Sequence, residues 1–167
     1  DSIKSGILAA LIGMIAVIFF MMIYYKFSGI IAVLAVFVNM AFIVAVMTML
    51  DGTLTMPGIA GMILTIGMAV DANVIIFERI RENLDAGKTV RSAVNSGFSR
   101  ALVTILDANI TTLITAIVLY QFGTGPIKGF AVTLSIGIIG SMFASIVLVK
   151  AIFDGLILNS SREKLSI

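Results

Sequence analysis

The sequence predicts an all-α membrane bundle of five transmembrane helices and one short helix in the membrane interface. Hydrophobic residues make up 60% of the 167 residues, charged residues only 12%, and the mean hydropathy is +1.17. Soluble domains are nearer to half apolar and a quarter charged, and a globule of this length has too little interior for so much apolar surface. The apolar residues also fall in runs of about 20, the length that crosses a bilayer.

Five such runs form a single predicted transmembrane domain over residues 1–167. Pro57 suits the first turn of the third run, because proline is tolerated where a helix begins. Short connections follow the first, second and fourth runs, so those neighbours are predicted to be antiparallel. The runs cover residues 6–25, 29–50, 57–77, 101–120 and 127–149.

The connection between the third and fourth runs, residues 78–100, is longer than the others. From Val90 to Phe98 its apolar and small residues recur on one helical face, and Thr89 suits an N-cap. This amphipathic pattern predicts a short helix lying in the membrane interface. The alternative is a flexible loop.

Lysine and arginine are distributed unequally between the two ends of this bundle. Nine lie on the side of the 78–100 connection and two on the other. Cytoplasmic loops carry the excess of such residues, so we predict a multi-pass membrane protein with its N-terminus extracytoplasmic and its C-terminus cytoplasmic. The nine are Lys26, Arg79, Arg81, Lys88, Arg91, Arg100, Lys150, Arg162 and Lys164, and the two are Lys4 and Lys128.

Several functional classes lack the residues they need. The chain has no cysteine and no histidine, which excludes thiol chemistry, disulfides, histidine acid–base catalysis and most zinc or haem sites. It has no phosphate-binding loop, and the 78–100 connection mixes too many acidic residues with its basic ones for a nucleic-acid patch. We therefore expect no enzyme activity, no metal and no organic cofactor.

The third run carries a carboxylate in its interior, Asp71. An ionised carboxylate in lipid costs several kcal/mol, so such residues are rare and face a bundle interior or a water-filled path. Asp71 precedes Glu78 by seven residues, and Asp107 follows Arg100 by seven. Both aspartates should therefore lie about 10 Å inside the cytoplasmic boundary, at one level of two antiparallel helices.

The tripeptide Asp-Ala-Asn occurs at 71–73 and again at 107–109. Residues i and i+2 of a helix point to nearly opposite sides, so Asn73 and Asn109 should contact different neighbours from the aspartates.

One polar stripe runs along the fourth segment. It is either the lining of a hydrated proton path or a source of interhelical hydrogen bonds. Interhelical hydrogen bonding is the favoured interpretation for the threonines. For Asp71 of the neighbouring segment, the proton path is favoured, since hydrogen bonding alone needs no titratable group. The stripe contains Arg100, Thr104, Asp107, Thr111 and Thr115.

The fifth run repeats a small residue at every fourth position, which lets helix backbones approach closely. These residues are therefore predicted to serve helix packing. They are Gly129, Thr133, Gly137, Ser141 and Ser145.

Two stretches, "GMAVDANVIIFERIRENLDAGK" and "GFSRALVTILDANITTLITAIVLYQFGTGPIKGFAVTLSIGI", resemble the membrane domain of the SecD/SecF protein-export family, in its SecD form. That family is related to the RND transporters, and the resemblance covers nearly the whole chain. It implies a location in the bacterial plasma (inner) membrane and a six-helix half with a large extracytoplasmic domain after its first helix. This chain would supply the second to sixth helices only.

The resemblance also implies a function and partners. Members use the proton-motive force to help preproteins through the Sec channel, alongside a SecF-like subunit, with protons as the coupling ion and no other cofactor. Asp71 matches the intramembrane aspartate implicated in proton movement, Arg100 matches a family arginine by position, and Asp107 and Asn109 match residues of less defined role. Two alternatives stay open: an RND-type exporter half for small molecules or lipids, and a passive scaffold for the Sec channel.

Overall fold

The computed structural model describes residues 2–50 and 55–159, which contain helices, short connections and no strand. The all-α class is confirmed for these residues. Arg162 and Lys164, two of the counted cations, lie outside the described residues. The elements are α1 Ser2–Met49, α2 Met56–Asp85, α3 Val90–Phe122, α4 Gly125–Phe143, a π-helical turn Ala144–Leu148, and α5 Val149–Asn159.

Helix α1 contains the first two predicted segments and reverses direction between them. Lys26 has φ 49° and ψ −117°, which breaks the helical path. Met14 and Val36 line the same small cavity, although a straight helix would separate them by about 33 Å. The reversal requires a close approach at Gly29, because a Cβ there would collide with the carbonyl oxygen of Met21. The two halves of α1 therefore form an antiparallel hairpin.

The structure contains no separate interfacial helix within its described residues. Helix α2 continues to Asp85 and α3 begins at Val90, so residues 90–100 are the first turns of α3 and the connection shrinks to residues 86–89. Thr89 does cap α3, with its hydroxyl oxygen accepting a hydrogen bond from the Ser92 N–H at 3.4 Å. The amphipathic face is real, but it packs against protein: Gly97 lies on Ile80 of α2.

The fifth predicted segment is also longer than expected. It begins at Gly125, passes through the π turn and ends as α5, so it extends ten residues beyond the predicted end at Val149. Within the described residues, four helices are long and apolar enough to cross a membrane, and α1, folded back on itself, is counted as one of them.

Helix α2 lies at the centre of the bundle and packs on α1, α3 and α4. It runs parallel to α4, where small residues meet threonines: Thr133 lies against Gly61, and Gly137 lies against Thr65. A Cβ on Gly137 would collide with the Thr65 side chain. The close approach of these two helices thus depends on the absence of a side chain at Gly137.

The largest apolar core lies at one end of the bundle, near Lys26, Arg81 and Lys150, which we call the cation-rich end. Aromatic rings connect the helices there. The Phe77 ring lies 5.9 Å from the Phe153 ring, which lies 6.0 Å from that of Phe98. This cluster joins α2, α5 and α3.

Candidate functional site

Asp71 and Asn73 lie on opposite sides of α2. Asp71 is exposed on the outer face, together with Gly67 one turn earlier and Leu64 two turns earlier. Asn73 is fully buried against the neighbouring helices. The carboxylate therefore points away from the core of this bundle.

Helix α3 repeats this division. Asp107 is exposed, whereas Asn109 is buried and donates a hydrogen bond from Nδ2 to the Ile105 carbonyl oxygen at 2.7 Å. The contact of Gly97 with Ile80 sets the register of the antiparallel pair. Ten residues further along each helix from this contact, Asp107 of α3 lies level with Val70 of α2, the residue before Asp71. The two aspartates therefore share one level to within about a turn.

The polar stripe of α3 lies on its exposed surface, which includes Arg100, Thr104, Asp107, Thr111 and Thr115. The same register places Arg100 six residues from Asp71 along the helix axis, or about 9 Å toward the cation-rich end. Within the described residues, the side chains of Asp71, Arg100 and Asp107 make no hydrogen bond and no ion pair. The structure therefore does not bring Arg100 into contact with Asp71.

The threonine hydroxyls bond within their own helix. Thr111 Oγ1 donates to the Asp107 carbonyl oxygen at 2.9 Å, and Thr115 Oγ1 donates to the Thr111 carbonyl oxygen at 3.2 Å. Their donors are thus satisfied without a second helix. The interhelical bonds that the sequence favoured for these threonines are not formed among the described residues.

Beside this stripe, the exposed surface of the membrane-spanning part of α3 is apolar and includes Val103, Ile110 and Ile117. Helix α3 therefore presents two kinds of outer surface at the depth of the apolar core. The apolar surface suits contact with lipid. The polar stripe carries ionisable groups, which are costly to leave in lipid.

A second set of polar groups is buried without hydrogen-bond partners. Both amide atoms of Asn73, the Asn109 Oδ1 and the Ser145 hydroxyl belong to it. The contact of Thr65 with Gly137, carried eight residues along the parallel helices, places Asn73 level with Ser145. Ser145 lies in the π turn, a local distortion frequent at functional sites.

One polar cluster was missed from the sequence. At the cation-rich end, the Tyr25 hydroxyl donates to Glu78 Oε1 at 2.8 Å, and Arg81 Nη1 donates to the same oxygen and to the Tyr24 hydroxyl, both at 3.2 Å. The Arg81 guanidinium also lies 5.0 Å from the centre of the Tyr24 ring. These contacts fasten the α1 turn to α2. Adjacent tyrosines beside Lys26 are the membrane-interface signal that could have indicated it.

We expect Tyr25→Phe to lower the free energy of unfolding by about 0.5–1.5 kcal/mol, because one partly buried hydrogen bond is lost while the ring packing stays. Thermal unfolding in detergent micelles measures the change. Tyr120→Phe is the matched control, because Tyr120 is exposed and the structure gives its hydroxyl no hydrogen bond. Equal stability losses in the two variants would contradict the assigned role of Tyr25.

Comparison with known proteins shows the family of this chain. The family model "Protein export membrane protein SecD/SecF, C-terminal" matches residues 1–158. The chain belongs to the SecD/SecF family. The resemblance inferred from the sequence is thereby confirmed.

Relatives in this family are similar along the entire chain. The protein translocase subunit SecD of Calditerrivibrio nitroreducens is 59% identical over 167 residues, covering 100% of this chain and 32% of the relative. SecD of Syntrophobacter fumaroxidans is 54% identical, with 100% and 31% covered. The chain therefore spans about a third of the length of these SecD/SecF relatives.

A solved structure has the same fold. The crystal structure of SecDF from Thermus thermophilus, described as a translocon-associated membrane protein, matches with a TM-score of 0.90 and 42% identity. The match covers 96% of this chain and 22% of the solved one. The SecD/SecF membrane fold thus extends over nearly all of this chain.

Proposed function

We propose that the protein is a membrane subunit of a protein-export accessory complex that uses the proton-motive force to assist preprotein passage through the Sec channel. Its relatives are named protein translocase subunit SecD, and the similar solved structure is described as translocon-associated. Five segments cross the bacterial plasma membrane in this proposal. The N-terminus is extracytoplasmic and the C-terminus cytoplasmic, as the lysine and arginine distribution favours.

The observation that carries the proposal is the unpaired polar stripe of α3 at the level of Asp71. Each ionised side chain placed in lipid near mid-bilayer costs about 2.5–3.5 kcal/mol by insertion measurements. Asp71 and Asp107 lie about 10 Å inside the membrane boundary, so leaving both ionised carboxylates in lipid would cost more than leaving one, and protein or water must cover them. A SecF-like subunit is the proposed cover, and this surface is its interface.

A carboxyl group in such an interface is suited to proton coupling. A carboxyl shielded from water favours its protonated form, and a nearby cation or water favours the ionised form. We assign this exchange to the Asp71 carboxylate, with Arg100 and Asp107 setting the local charge. One proton crossing 100 mV releases about 2.3 kcal/mol, enough to bias a helix rearrangement of a few kcal/mol.

Cysteine cross-linking tests the proposed interface, and the chain offers a clean background because it has no cysteine. In the complex with the SecF-like subunit, we expect Thr111→Cys to cross-link to that subunit through a short bifunctional reagent. Ile117→Cys is the matched control, since it is exposed on the apolar surface of the same helix, about 120° around the helix axis from Thr111. Comparable cross-linking at both positions would contradict the proposed interface.

A further inference from the structure

We propose that the protein holds one anionic phospholipid in a cavity at its cation-rich end, with an acyl chain inside and the phosphate at the mouth. The cavity has a volume of about 250 Å³ and lies between α2, α3 and the π turn. It faces away from Asp71, since Ile76, its α2 lining residue, is on the buried side of that helix. The proposal is independent of the proposed function.

The floor of the cavity is apolar. Ile76 and Ile105 are each 1% exposed, and Leu102 and Ile146 are half-buried beside them. Ile146 belongs to the π turn. An acyl chain is the membrane component that such a lining suits, since burying apolar surface is favourable and no polar group there demands a partner.

The mouth of the cavity is polar and basic. Asn95, Ser99 and Lys150 line it. The Lys150 ammonium donates one hydrogen bond to Asp154 Oδ2 at 2.9 Å, which leaves two donors for another acceptor. Arg91 is exposed four residues before Asn95 on the same face of α3, and none of the eight lining residues is acidic. Basic pockets between membrane helices are typical binding places for anionic headgroups.

The position of the cavity relative to the membrane boundary matches that of a bound lipid. Ser99 lies two residues before residue 101, where the predicted apolar span begins, whereas Leu102 and Ile105 lie within that span. A phosphate at Lys150 would therefore sit at the membrane boundary, with its acyl chain pointing into the hydrocarbon region. Since the cations concentrate at this end, the lipid would come from the leaflet facing it.

The size of the cavity argues against another helix as its occupant. The lining residues of α3 run from Asn95 to Ile105, which is about 15 Å of helix. A helix of that length and about 10 Å diameter fills roughly 1,200 Å³, several times the volume of about 250 Å³. Part of one acyl chain fits where a helix does not, and the rest of that chain would lie along the outer surface of the bundle.

Native mass spectrometry of the purified protein in detergent micelles tests the proposal. The probes are dioleoylphosphatidylglycerol and dioleoylphosphatidylcholine, which share acyl chains and differ in headgroup charge. We expect one phosphatidylglycerol molecule to stay bound, with about fivefold higher affinity than phosphatidylcholine, as one basic side chain near a phosphate supplies. Equal affinities would overturn the proposal.

Two variants locate the bound lipid. Lys150→Gln should remove the preference for phosphatidylglycerol, whereas Arg79→Gln should keep it, because Arg79 pairs with Glu82 on an exposed helix surface much as Lys150 pairs with Asp154. Leu102→Trp should fill the cavity and expel both lipids. Val103→Trp, on the 69% exposed neighbouring residue, should not.

Each pair of variants, the two glutamine substitutions and the two tryptophan substitutions, can contradict the proposal. Retained preference in Lys150→Gln, or an equal loss in Arg79→Gln, would show that the lysine does not hold the headgroup. Retained lipid in Leu102→Trp would place the acyl chain elsewhere. If Leu102→Trp fails to fold, the surface pair of Lys150 and Arg79 variants still decides the outcome.

Discussion

Asp71→Asn is expected to remove the part of preprotein translocation that depends on the proton-motive force, reducing it by at least about tenfold. Asparagine keeps the shape and hydrogen-bonding capacity of the side chain but cannot take up or release a proton. One proton that crosses a potential of 100 mV releases about 2.3 kcal/mol, which corresponds to a factor of roughly 50 in an equilibrium constant. The measurement is preprotein import into proteoliposomes that contain the protein, its SecF-like partner and the Sec channel, with and without an imposed proton gradient.

Glu82→Gln is the matched control for this variant. It makes the same chemical change on the same helix, at an exposed carboxylate that pairs with Arg79 at 2.9 Å. We expect it to translocate like the wild type, because a surface ion pair contributes little. If Asp71→Asn kept its response to the gradient, the passive scaffold of the Sec channel would be favoured instead.

Gly97→Val is expected to destabilise the bundle by about 3 kcal/mol or more. A Cβ on Gly97 would lie 3.0 Å from the backbone nitrogen and 3.2 Å from the Cα of Ile80, whose side chain is fully buried. Because backbone atoms cannot rotate away, α2 and α3 must separate, and overpacking of this kind costs 1–3 kcal/mol even for smaller insertions. Thermal unfolding in detergent micelles measures the loss.

Gly13→Val provides the comparison within the same protein. Gly13 lies on the exposed surface of α1, and a Cβ there meets no atom within 4 Å. Its stability should equal or slightly exceed that of the wild type, since valine has a somewhat higher helix propensity than glycine. A similar loss at both positions would show that valine itself, and not the contact with Ile80, causes the effect.

The sequence predicted the helical class and the placement of Asp71 and Asn73 on opposite sides of one helix, because both follow from local periodicity. It did not predict which of the two faces outward. Apolar runs report span length directly, and an i, i+2 pair must divide between two faces of a helix. The same reasoning placed the two aspartates at one depth, which the contact of Gly97 with Ile80 also indicates.

Other features depend on long-range contacts that local patterns do not report. The amphipathic face around Phe98 shows that one side is buried, but not whether protein or the membrane interface covers it; here it is protein. The hydrogen bond between Tyr25 and Glu78 joins residues 53 positions apart. The π turn lies within a predominantly apolar run, so hydropathy could not distinguish it from the surrounding helix.

Proton uptake by the reconstituted complex tests the central claim, that Asp71 is the proton-carrying group, most directly. Proteoliposomes of wild type, Asp71→Asn and Glu82→Gln would carry a pH-sensitive dye inside while a preprotein is added under an imposed potential. We predict preprotein-dependent proton uptake in the wild type and in Glu82→Gln, and none in Asp71→Asn. Proton uptake by Asp71→Asn at the wild-type rate would contradict the assignment of Asp71 as the proton-carrying group.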